Sequence, residues 1–181
     1  MKFVSKLAVL LTGVTAVTAA ADEPVFGATD IPTVFFFSKS DDKNRVDYGL
    51  KLDASCQPVG DEPLFPYWRE FETQPPGLHT HTLKFFEYAG YGVADQRVKK
   101  LEGGKSEIAV KLKALPRDIV VTVEKGEGGR CVATARAVIG GSPNVQLLSA
   151  YIKLKSGWSV EYVEVKGRTN DGRNLAERLM P

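Results

Sequence analysis

Cysteine and histidine are both scarce in this chain of 181 residues, with two of each. Two cysteines cannot build a disulfide-rich scaffold, but an even pair in an oxidising compartment fits one bridge, between Cys56 and Cys131. The histidines are His79 and His81, so any histidine chemistry is confined to one short loop. No Gly-x-Ser-x-Gly elbow is present, and nothing in the spacing equips Ser38 or Ser40 with a base. The turn Gly103-Gly104-Lys105-Ser106 lacks the leading glycine of a phosphate loop. Long helical periodicity, internal repeats and low-complexity tracts are missing too, which excludes bundles and solenoids.

Surplus charge is also lacking. Lys2 and Lys6 account for the whole excess of base, so the chain beyond residue 21 carries 22 basic and 22 acidic side chains. A formally neutral domain exerts no long-range pull on nucleic acid, which argues against such a partner. The first 21 residues themselves have the parts of a secretory signal peptide. They comprise the basic start MKFVSK, an uncharged middle LAVLLTGVTAVTA and small residues at 19–21. That middle is too short for a membrane span of about 20 residues. The expected organisation is a signal peptide over residues 1–21, a polar lead-in over 22–30 and a single all-β domain over 31–181. The expected location is periplasmic or secreted, with no transmembrane span in the mature chain. About 160 residues suffice for one domain with a real core.

Residues 31–53 read as a β-hairpin. Val34, Phe35, Phe36 and Phe37 form a continuous apolar run suited to a strand buried on both faces. After the turn SDDKN, Val46, Tyr48, Leu50 and Leu52 alternate with Asp47, Gly49, Lys51 and Asp53, the pattern of a half-buried strand. A third strand is expected at residues 64–71, with Pro66 restricting it to an edge, an entry point or a bulge. Residues 73–82, TQPPGLHTHT, cannot be an ordinary helix or a central strand. Residues 83–89, LKFFEYA, predict a short helix ending near Gly90.

Strands are then expected at residues 91–101, 106–115, 118–125, 130–139, 145–154 and 158–166. Glycine-rich turns separate them, and Asp171-Gly172 marks a closing hairpin. The fold class is therefore an all-β sandwich or barrel of about 8–10 mostly antiparallel strands with one short helix. Its second half should run as a meander. The spacing of Cys56, Trp68 and Cys131 is close to that of an immunoglobulin domain, but Cys56 lies in a turn and no tyrosine corner precedes Cys131.

Three groups of residues are candidates for a site. His79 and His81, two apart in an extended segment, point to one side and could share a Zn or Cu ion if the fold supplied a third ligand. The aromatics of residues 67–91, above all Tyr67, Trp68, Tyr88 and Tyr91, could stack on a sugar or grip a peptide, although such residues more often fill a core. Paired carboxylates offer less. Asp41-Asp42 reads as a turn, and Glu161 and Glu164 should face opposite sides of one strand. The expected function is a non-catalytic binding or envelope structural module with an unidentified envelope or extracellular partner or ligand. The alternative is a metal-dependent or carbohydrate-active enzyme using the histidine loop.

Taken together, FFFSKS…NRVDYGLKLD, PLFPYW, LKFFEYAGYGV and VEYVEVKGRTNDGRNLAERL resemble a bacterial exported domain-of-unknown-function family of similar length. The resemblance rests on Lys39-Ser40, Asn44, Val46 and Tyr48, Tyr67-Trp68 and Tyr91-Gly92, with lysine at 39 where arginine is expected. It implies an exported all-β domain and carries no activity with it.

Overall fold

A computed structural model describes residues 33–155 and 159–180. The expected signal peptide and lead-in lie outside the described residues. The elements in chain order are β1 (Phe35–Lys39), β2 (Arg45–Leu50), β3 (Leu64–Glu70), β4 (His79–Thr82), α1 (Phe85–Tyr91), β5 (Val93–Lys100), β6 (Ser106–Leu112), β7 (Asp118–Lys125), β8 (Cys131–Ile139), β9 (Ser142–Leu154), β10 (Val160–Arg168) and β11 (Asn174–Leu179). The strands form one open, mixed sheet that folds into a sandwich-like all-β architecture.

From β5 to β11 each strand pairs antiparallel with the next, which is the expected meander. β9, 13 residues long, is the spine. One of its edges pairs with β10 along most of its length. Its other edge meets β8 through Val145 and Gln146, then meets β1 in parallel through residues 149–152. The sheet therefore divides at β9 into two wings, β1–β2–β3–β4 and β8–β7–β6–β5.

The wings close on one another because their inner strands turn branched or aromatic rows inward. Phe35, Phe37, Val46, Tyr48 and Trp68 from one wing join Ile108, Val110, Ile119 and Val121 from the other in a single buried cluster. Full burial of each such side chain contributes about 1.5–3 kcal/mol. Two polar links join the wings where no strand pairing does. The Gln96 side chain on β5 accepts the Leu64 N–H at 3.0 Å and donates to the Leu64 carbonyl at 3.1 Å, standing in for a strand neighbour of β3. In the loop after β2, Gln57 donates to the Gly104 carbonyl at 2.7 Å and accepts from Ser106 at 2.9 Å. Beside it Cys56 is bonded to Cys131 at the start of β8, as expected. The bridge thus runs from a loop to a strand end, in a topology unlike an immunoglobulin domain.

The opening hairpin forms, with the character of its strands exchanged. Phe36 is half-buried on the outer face beneath the Arg45 guanidinium, 4.2 Å from its ring centre. In β2 every residue after Arg45 is buried, Asp47 and Gly49 included. The alternation did not anticipate this because the cover on the outer face of β2 comes from side chains of β2 and β3 themselves. Pro66 fits its expected place: β4 reaches only as far as Tyr67, so β3 is an edge at the proline. β4 itself is a four-residue strand on the rim of the sheet.

Candidate functional site

α1 occupies the end of the sandwich where the wings part. Within this two-turn element the Glu87 carboxylate accepts the Lys84 backbone N–H at 2.7 Å. At its other end the Gly92 N–H donates to the Tyr88 carbonyl at 2.9 Å. Glycine is required there by space, since a Cβ at position 92 would collide with the Tyr88 carbonyl oxygen. The helix hangs from two bonds made by the body of the fold. The Tyr48 hydroxyl donates to the Tyr91 carbonyl at 2.7 Å, and the Lys113 N–H donates to the Gly92 carbonyl at 3.1 Å. None of its own residues is buried.

Beneath α1 lies a cavity of about 530 Å³. Ile152 and Leu154 of β9, Val160 and Val163 of β10, and Leu179 of β11 make its apolar wall, and Ala114 and Pro116 close it from the turn after β6. Ala89, Gly90 and Tyr91 roof it, and its charged margin is Lys39, Lys113 and Glu87. Lys39 pairs with Asp42 at 3.3 Å and lies 5.5 Å from the Trp68 ring centre. Lys113 stands 4.8 Å over the Tyr88 ring. Burial raises the Tyr91 phenol above its ordinary range, and the negative charges of Asp42 and Glu87 push it the same way. Burial, with Tyr91 nearby, pushes the Tyr48 phenol well above the same range. Both tyrosines are neutral donors near pH 7. The arrangement is an apolar hollow, open on one side, with two lysines and a glutamate at its rim.

A second cluster occupies the outer face of the β1–β4 wing. The Asp47 carboxylate is fully buried, and Arg45 Nε and Arg69 Nε donate to it at 2.6 Å each. Thr33 adds a hydroxyl bond at 2.9 Å. Arg69 also donates to the Tyr67 hydroxyl at 2.8 Å and to the Gly77 carbonyl at 2.9 Å, fixing the loop before β4. Burial works against the Arg69 charge, but the bonds to Asp47 and Tyr67 outweigh it and hold the guanidinium above its ordinary value. Charge-assisted bonds in this number organise a sheet face and hold the carboxylate in a structural role.

The aromatic candidates are dispersed by strand alternation. Tyr67 joins the Asp47 cluster on the outer face, whereas Trp68 turns into the core. Tyr88 is largely exposed on α1, and Tyr91 lines the cavity. The histidines share a strand face and diverge at the ring. His79 Nε2 is 3.3 Å from the Gln74 carbonyl, while His81 Nε2 is 3.4 Å from Glu70 and its Nδ1 is 3.0 Å from the Thr82 carbonyl. Among the described residues no three His, Cys, Asp or Glu side chains are grouped to hold a metal ion. Asp42 forms the expected turn by accepting the Asn44 N–H at 2.9 Å.

The sequence pattern carried by Ser40, Asn44, Tyr48 and Tyr91-Gly92 has a structural explanation. Ser40 Oγ accepts the Leu154 N–H at 3.1 Å where β1 leaves the sheet. Asn44 Oδ1 accepts the N–H groups of Phe71 and Glu72 at 2.7 and 3.2 Å, tying the first hairpin to the end of β3. Tyr48 and Gly92 hold α1. These residues are joints of the fold.

Sequence reasoning missed the cavity and the buried carboxylate. The walls of the cavity come from residues 39 to 180 and share no local signature. Strands were legible around Ile152, Leu154, Val160 and Val163, but not that these residues border a hollow as well as the core. Residues 35–178 match the model of a family described as "Domain of unknown function (DUF4833)". No curated protein and no solved structure matches the chain.

Proposed function

The chain belongs to the DUF4833 family, a domain of unknown function, and on its geometry we propose that it is a non-catalytic binding module holding an apolar small molecule beneath α1. The observation that carries this reading is the cavity of about 530 Å³ walled by aliphatic side chains, within the range of roughly 300–1,000 Å³ that ligand sites occupy. The hollow opens to solvent at Phe86 and Met180, which are 86% and 71% exposed, so an apolar molecule has a path into it. The leader-like residues 1–21 and the disulfide support a periplasmic or secreted setting, where such a ligand would need shelter from water.

Titration with a fluorescent long-chain fatty acid, and separately with the corresponding alcohol, tests the reading. We expect saturable one-to-one binding in the micromolar range. Ala114→Trp fills the cavity from its wall and should weaken binding about tenfold or more while the protein still unfolds cooperatively. Absence of saturable binding by the folded protein to either probe, or binding unaffected by Ala114→Trp, overturns it.

A second reading, a metal-dependent or carbohydrate-active enzyme at the histidine loop, has the approach of Glu70 to His81 in its favour. Calorimetric titration with Zn²⁺ and Cu²⁺ separates the two. Stoichiometric heat abolished by His81→Ala would favour the enzyme.

A further inference from the structure

We propose that α1 is a membrane-contact element, with Phe85 and Phe86 entering the interfacial layer of a lipid bilayer and bringing the cavity mouth to it. The two rings are 82% and 86% exposed, and they pack edge-on at 5.5 Å. Adjacent phenylalanines left in water at a rim lose most of the benefit that burial of an aromatic ring provides. Phe86 and Met180, the latter 71% exposed, also line the cavity, so apolar surface runs unbroken from the outside of α1 to the interior. A protein partner would cover the outer patch alone. Lipid can be continuous with both.

The surrounding charge agrees. Lys84 precedes the helix and Lys113 stands beside it, and among the described residues neither is paired with a carboxylate. Glu87 is turned to the Lys84 N–H. Lysines flanking exposed aromatics suit anionic headgroups above an apolar layer. Because the chain beyond residue 21 is formally neutral, attraction is local, and ring insertion supplies most of the binding.

Sedimentation with vesicles of phosphatidylcholine, alone or with about 30% phosphatidylserine, tests this. All proteins are compared in the same processed form, verified by intact mass. Wild type should partition to both, several-fold better to the anionic vesicles. Phe85→Ser should lower partitioning about tenfold, yet leave uptake of the fluorescent fatty acid from solution unchanged, because Phe85 is outside the cavity wall. Phe85→Trp should retain partitioning and shift its emission to the blue on vesicle addition. The proposal falls if wild type binds neither vesicle, or if Phe85→Ser partitions like wild type. The second result would give the patch to a protein partner. Either can occur with the cavity reading intact, since fatty-acid uptake is read separately.

Discussion

Asp47 is sealed from water between Arg45 and Arg69, so removing its carboxylate strands two guanidinium groups on a covered sheet face. Asp47→Ala should therefore cost about 3–5 kcal/mol, the loss typical of a buried ion pair deprived of one partner. The urea midpoint of unfolding measures it, and a loss below about 1 kcal/mol would mean that the cluster is solvated. The alternation of β2 correctly places Val46, Tyr48 and Leu50 on the core side. It cannot show that the opposite side is covered, because the cover consists of one arginine two residues upstream and another on the next strand. Lys39 is the converse case. It was a motif position, and its partners Asp42 and Trp68 lie in a turn and on β3, where their meeting depends on the fold.

At the scale of the element, α1 depends on Gly92. A methyl group there meets backbone, which cannot swing aside as a side chain would. Gly92→Ala should destabilise the protein by about 1–3 kcal/mol, and amide exchange within residues 85–91 should accelerate more than exchange in β7. Equal protection in the two proteins would show that α1 is held by other means. The helix was readable from LKFFEYA, as were the bounds of β7, which coincide with the expected residues 118–125. In β7 the period of two is bracketed by clear turn formers. What α1 covers was not readable, since the strands facing the cavity are separated from it by some sixty residues and more of chain.

For the whole molecule, two wings meet along a shared strand and are tied again by the disulfide and by the side chains of Gln57 and Gln96. The disulfide spans 75 residues, and cross-linking a loop of that size contributes about 4–5 kcal/mol in the chain-entropy model. Cys56→Ser/Cys131→Ser should lower stability by about 2–5 kcal/mol, read by chemical denaturation. A loss under about 1 kcal/mol would assign the tie to Gln57 and Gln96 instead. The bridge was legible because the chain holds only two cysteines. The open, mixed sheet was not, because the pairing that makes it mixed joins residues 36–39 to 149–152. That pairing sets an order of events. β1 acquires its second neighbour only after β9 has been synthesised, so the first wing remains an unfinished sheet while most of the chain emerges. Closing so long a loop is entropically costly, so the first wing is the last part of the sheet to be completed, after the local β5–β8 meander.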